Sequence, residues 1–368
     1  MKESQETEKK PKTPNDTFTG NIFIFHAFDV GDEIDLEGIK ESQQVILRQL
    51  KLSKHFKNYH TPLAIDLPHP HTTTRFESCK IHSFGAISLT YKIPFTDTLE
   101  NIREKLSEID ENYQEESVEN VLSVYGKIKS HITKPKFFHT RSHYLVIQVD
   151  PKPKQIDVKT LKEKYSGIIA SMVRFETETL SEYQKNEILE DAIGYFRGDL
   201  IVIDYESAFV YDKEYEEILE FFEFANIQEL ELRYFDWLLD QQLNLTYEEQ
   251  TRKLPWSAYI PFTRTKWKGP IADLEKLRVD ISVITERLEN SIKVIGEAYF
   301  SELYSHLVEK MDLKSWRESI NKKLAIISDM RSVFQHKVDA IREDTLSSLI
   351  IILIFIELVV GILHYVKP

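Results

Sequence analysis

Residues 199–211 read DLIVIDYESAFVY, and the character of the chain changes at their end. Branched and aromatic side chains crowd this stretch, as they do in strands buried in a sheet. Similar runs precede it: Asn21–Phe28 (NIFIFHAF), Lys80–Ile93 (KIHSFGAISLTYKI, a strand or hairpin) and His143–Val149 (HYLVIQV). Between them, Leu36–Leu52, Leu99–Ile132, Asp157–Val173 and Ser181–Tyr195 carry helical spacing. After Tyr211 the strand signals stop. The pattern predicts an α+β fold, with a mixed sheet-and-helix domain over residues 18–212 and helices from there on. Residues 1–17 (MKESQETEKKPKTPNDT) are polar and lack an apolar period, which predicts a disordered tail.

Working outward in the other direction, residues 213–270 divide into an acidic helix and a basic aromatic loop. Within the helical stretch Lys213–Gln250, residues 214–240 hold nine acids against Arg233 alone. Thr251–Lys268 reverses the sign with Arg252, Lys253, Arg264, Lys266 and Lys268, among which lie Trp256, Tyr259, Phe262 and Trp267. This loop either neutralises the acidic helix within the fold or meets an anionic membrane surface. Ile271–Met311 reads as one long helix whose apolar residues, from Leu274 and Leu277 to Leu303 and Leu307, step by threes and fours. A turn at Asp312–Ser315 leads into a second helix carrying Trp316, Ile320, Leu324, Ile327, Phe334, Val338 and Ile341. A short turn between two amphipathic helices predicts an antiparallel, coiled-coil-like stalk over residues 271–346. Arg317 and Asn321, one turn apart, share a face where they would fix the stalk's register or touch a partner. Phe300, Tyr304 and Phe334 flank the seam and need cover from the α+β domain or, as we expect, from a second subunit.

The second helix runs on into SSLIIILIFIELVVGILHYV, residues 347–366, which hold one formally charged side chain, Glu357. At 1.5 Å per residue, the segment from Ser347 through Leu349, Ile354 and Gly361 to Val366 covers about 30 Å, the thickness of a bilayer's hydrocarbon core. A single transmembrane helix is expected here, acting as a C-terminal anchor. Arg331, Lys337 and Arg342 precede the span and only Lys367 follows it. The positive-inside rule therefore places the bulk of the chain on the cytoplasmic side, or its matrix equivalent. Glu357 near the middle of the span is either tolerated by its apolar neighbours or set against a partner helix.

The C-terminal segment resembles the "required for meiotic nuclear division" family. The likeness rests on Arg317, Ile320, Asn321 and Leu324 in the last stalk helix, followed after a spacer by the isoleucine-rich run Leu349–Glu357. Ser83–Ser88 (SFGAIS) is similar to a short strand in that family's N-terminal half. The resemblance covers roughly residues 270–366 and implies a membrane protein of mitochondria or another compartment, one relative supporting mitochondrial translation. It supplies no catalytic residues.

Composition narrows the function. With 60 acidic and 47 basic residues in 368, the formal net charge is −13, which argues against binding nucleic acid. The single cysteine, Cys79, excludes an internal disulfide framework. Neither GxxxxGK[ST] nor GxGxxG occurs, so the common phosphate-cradling loops are absent. His69, His71, Cys79 and His82 give an H-x-H-x7-C-x2-H pattern that could supply zinc ligands, although its spacing matches no standard finger. Asp29, Asp32, Glu33 and Asp35 resemble a calcium loop, with Ile34 where glycine is required. Phe196–Leu200 (FRGDL) reads as a turn entering a strand. We therefore expect no cofactor and no resident metal. The expectation is a homo-oligomeric membrane scaffold or assembly factor. The alternatives are a subunit of an ion-transport complex with Glu357 facing a pathway, and a metal-dependent enzyme at the His/Cys cluster.

Overall fold

The thirteen residues Thr17–Asp29 form β1, the strand on which the fold is built. Its centre, Ile22 to Phe28, is buried on both faces, so nearly continuous apolar character replaces the alternation of a half-exposed strand. The computed structural model describes residues 16–50, 61–68, 75–137, 141–151, 156–194, 198–250, 278–279, 281–282 and 298–366. The chain divides into two units, residues 1–234 with 287–314, and residues 235–286 with 315–368.

In the first unit a seven-stranded sheet has the order β3-β4-β5-β1-β7-β9-β8. Its other strands are β3 (Leu63–Ile65), β4 (Phe76–Ile81), β5 (Ala86–Thr98), β7 (Arg141–Val149), β8 (Leu200–Ile203) and β9 (Ser207–Tyr211). β7 and β9 pair in parallel and the other pairs are antiparallel, so the sheet is mixed as expected. A separate ribbon joins β2 (Glu33–Ile34) to β6 (Ile132–Thr133). The tight β4–β5 turn needs Gly85, at φ 107°, where a Cβ would collide with the carbonyl oxygen of Gly31. Both sheet edges are covered by single bridges, Leu47 on Ile65 and Ile193 on Ile201.

Helices α2 (Leu99–Ile128) and α3 (Val158–Val173) cover one face of the sheet, with α1 (Leu36–Ser42) and α4 (Glu182–Glu190) beside them. Thr98, Asp157 and Ser181 cap α2, α3 and α4, each side-chain oxygen accepting from the backbone N–H three residues on. Leu99, Ile102, Leu106, Val121, Val124 and Ile128 turn one stripe of α2 into the core. Helix α5 (Glu216–Gln250) lays its first half on the opposite face. Helix α6 (Ala298–Lys310) belongs to the same unit: Phe300 stacks on Phe221 at 5.2 Å and Tyr304 Oη lies 2.6 Å from Gln228 Oε1. These two flanking residues thus each meet α5 of the same chain and are half-buried. The Phe334 side chain lies outside the described residues.

In the second unit, α7 is continuous from Leu313 to Val366, 54 residues or about 80 Å at 1.5 Å per residue. It buries Ile320, Leu324 and Ile327. Lys323 Nζ lies 2.7 Å from both Asp236 Oδ1 and Asp240 Oδ1 of α5, and Ser319 Oγ lies 2.6 Å from Asp236 Oδ1.

Four expectations change. The helix foreseen over Leu36–Leu52 ends at Ser42, where Gln43 turns left-handed at φ 53°, and the chain then joins the sheet edge through Asp66 N–H to Ile46 O and Arg48 N–H to Ala64 O. Strand β1 starts at Thr17, inside the stretch read as tail. The run 199–211 is two strands folded at Asp204–Glu206. The stalk turn falls at Met311–Asp312, with Asp312 at φ 53°, so α7 begins before Ser315. The tail to residue 15, the loop 252–268 and nearly all of 271–297 lie outside the described residues.

Candidate functional site

Helix α2 breaks its apolar stripe in the middle, where Asp110, Ser117 and Asn120 are buried. They face a polar patch on the sheet. His26 of β1 pairs in register with His143 of β7, their rings stacked with centroids 6.2 Å apart. Asn120 Nδ2 donates to Tyr91 Oη at 2.8 Å, and burial pushes the Tyr91 hydroxyl above its ordinary value. His143 Nε2 lies 3.7 Å from Asp110 Oδ2, too far for a good hydrogen bond but close enough for an ion pair when the imidazole is charged. Gln114 ties the edge together, donating to Asp110 Oδ2 at 3.0 Å and accepting from Arg141 at 2.7 Å through its side chain and 3.0 Å through its carbonyl. His26 is the anomaly. It is fully buried, both ring nitrogens lack a hydrogen-bond partner among the described residues, and burial followed by His143 and Arg141 drives its pKa down to about 3. The imidazole is held neutral.

The opposite face carries a second polar layer beneath α5. The Glu223 carboxylate accepts from Lys80 Nζ and from Ser88 Oγ. Burial alone would raise this carboxyl; Lys80, with help from Ser88, outweighs burial and holds it below its ordinary value. Ser142 Oγ lies 2.7 Å from both Asn226 Oδ1 and Glu229 Oε2, and burial raises the Glu229 carboxyl. Tyr144 donates to the carbonyls of Asp204 and Ser207 and stacks on Phe222 at 5.3 Å. At the end of β1, burial pushes Asp29 up to about 8 despite a 3.1 Å bond from Gly31 N–H, and burial together with the charge of Asp29 raises the Glu231 carboxyl well above its ordinary value. Of the acids of 214–240, Glu223 is thus met by Lys80 and Glu229 by Arg233 in the first unit, and Asp236 and Asp240 by Lys323 in the second.

The residues singled out from sequence fare unevenly. Cys79 is buried in the apolar core, its thiol raised by burial, while His82 lies beyond the strand end near Lys80 and Glu223, lowered by burial to about 3. His69 and His71 lie outside the described residues. Among the described residues no group of three His, Cys, Asp or Glu is placed to hold a metal ion. The calcium-like loop is spread over separate tasks: Asp29 is buried, Asp32 pairs with Lys134 at 2.5 Å, and Asp35 caps α1 through Gly38 N–H at 3.0 Å. Glu33 and Asp35 line an open cleft of about 400 Å³ with Glu37, Ser83 and Thr133. Arg317 is half-buried and Asn321 exposed on α7; their neighbours Ser319 and Lys323 tie this turn to α5. Ser347, Leu349, Ile354, Glu357 and Gly361 are exposed on α7, whose last described residue is Val366. His26, Ser88 and Glu223 were missed. For His26 a signal existed, a histidine inside an otherwise apolar strand.

Residues 19–217 match the family described as "Uncharacterized protein MJ0711, N-terminal domain". That is the sheet with α1 to α4 and the first two residues of α5. A curated relative, the uncharacterized protein MJ0711 of Methanocaldococcus jannaschii, is 27% identical over 204 residues, 55% of this chain and 61% of the relative. The chain therefore spans about three-fifths of that relative's length. No solved structure matches. The family match stops short of residues 270–366, which carry the resemblance to the meiotic nuclear division family, and leaves that resemblance where it stood.

Proposed function

The chain belongs to the MJ0711 N-terminal domain family, and from that premise we propose that it is a non-enzymatic, membrane-anchored scaffold or assembly factor. One observation carries the reading. Between Asp339 and His364, α7 reaches a mean hydropathy of 2.9 over its most apolar window, and none of that window is buried among the described residues. In water such a surface is a large uncompensated cost, whereas a bilayer of about 30 Å takes it up. Further up, the same helix meets α5 through Ser319, which bonds to Asp236, and Lys323, which pairs with Asp236 and Asp240. The basic residues Arg331, Lys337 and Arg342 before the span support an orientation with the α+β domain on the cytoplasmic side. The full-length protein, expressed in cells, should stay with membranes through a high-salt and an alkaline wash and leave them only in detergent. Release by salt alone would sink the reading.

A further inference from the structure

The span is aliphatic apart from a few positions, and these are ordered. From Leu349 to His364 the residues other than Leu, Ile and Val are Phe355, Glu357, Gly361 and His364. Glu357, Gly361 and His364 stand at i, i+4 and i+7, which at about 100° per residue puts all three in a stripe about 60° wide. Phe355 falls on the opposite side. Among the described residues nothing lies within 4 Å of where a Cβ on Gly361 would be, so a neighbour can approach the backbone there. Lipid tails offer no hydrogen bond, and a carboxyl group at mid-span, whichever form it takes, needs a partner at its own depth.

We propose that the stripe Glu357–Gly361–His364 is the contact face for a second copy of this helix. Copies anchored in the same orientation are parallel, so a two-fold contact sets Glu357 beside Glu357 at one depth, with Gly361 letting the backbones close. The partner is thus supplied by the geometry itself. Asp339 and Glu343 continue the same stripe above the span, where like charges on two copies repel; close contact is a property of the membrane segment.

The proposal rests on the membrane reading, and its test separates the two. Full-length protein carrying donor or acceptor labels is reconstituted in phosphatidylcholine liposomes, and energy transfer is measured on material that has co-floated with the lipid. Wild type should associate, Glu357→Gln should keep part of the association, and Glu357→Leu and Gly361→Leu should each lower it about fivefold, the size of a polar contact between membrane helices. Val359→Leu, on the far side, should change nothing. Failure to float would overturn the membrane reading. Floating protein in which wild type, Glu357→Leu and Gly361→Leu associate equally, or in which wild type shows no transfer, would overturn the contact face and leave the anchor standing.

Discussion

His26 is held neutral in the core while the unfolded chain protonates it below about 6.5, its ordinary value. The folded chain takes up that proton only near pH 3, so the contribution is whole above 6.5 and is lost progressively as pH falls from 6.5 to 3. By pH 5 the loss is about 2 kcal/mol, from about 1.4 kcal/mol per pH unit. Asp29 works in the other direction. Raised to about 8, it stays protonated in the fold while the unfolded carboxyl ionises near 3.8, so its contribution falls as pH rises between those values. Because the two overlap, the wild-type profile is a composite, and the difference from His26→Leu isolates the histidine. Urea unfolding at pH 5 and pH 7 should show wild type losing about 2 kcal/mol relative to His26→Leu; parallel curves would assign the acid sensitivity elsewhere. Lys80 and Glu223 make a second residue-scale case. Lys80→Met leaves a buried carboxylate with Ser88 alone and should destabilise by about 3–5 kcal/mol. Adding Glu223→Gln removes the stranded charge, and the double variant should recover part of that loss in the same unfolding measurement.

At the scale of elements, α7 is positioned by a clamp of charge. Burial would lower the Lys323 ammonium, but bonds to Asp236 and Asp240 outweigh it and raise it. Lys323→Met should loosen α7 from α5, seen as faster amide hydrogen exchange over residues 316–330, at a cost of about 1–2 kcal/mol for a pair that is only partly buried. Exchanging the charges, Lys323→Asp with Asp236→Lys, should slow exchange again relative to Lys323→Asp alone. The elements that sequence made legible are those with a strong period or run. The strands around Ile24, Leu89 and Ile147 and the helices α2, α3 and α5 stand within a few residues of expectation. Edge pairing at Ile46–Arg48 was not legible, because one isolated bridge leaves no pattern in the residues. The polar layers were hidden for another reason. Glu223 on an acidic helix reads as solvated surface, and only folding brings it to Lys80, 143 residues earlier. Asp110 and Asn120 likewise read as the wet side of α2 until His143 and Tyr91 are set opposite them.

The whole molecule combines a sheet domain that defines its family with a terminal helix outside the family match. Whether that helix enters a bilayer despite Glu357 is a matter of sums. From Leu349 to Leu363 there are thirteen Leu, Ile, Val and Phe residues. At about −0.3 to −0.6 kcal/mol each they contribute roughly −4 to −8 kcal/mol, against about +2.5 to +3.5 for a charged side chain at the centre. On this sum the proposed insertion is favoured by roughly 0.5 to 5.5 kcal/mol with the glutamate in place. The margin is narrow enough for a second charge to matter: Val360→Arg, three residues from Glu357, should bring insertion close to balance and shift a substantial fraction of the protein out of the membrane. Deleting residues 347–368 goes further. The bonds of Ser319 and Lys323 on α7 to Asp236 and Asp240 of α5 lie well before the cut, so the truncated chain keeps them while losing the exposed apolar surface. It should appear in the supernatant after ultracentrifugation, with the circular dichroism of a folded α+β protein. Truncated protein that still pellets with membranes after a high-salt wash would place the anchor elsewhere in the chain, and the basic aromatic segment 252–268 would be the first place to look.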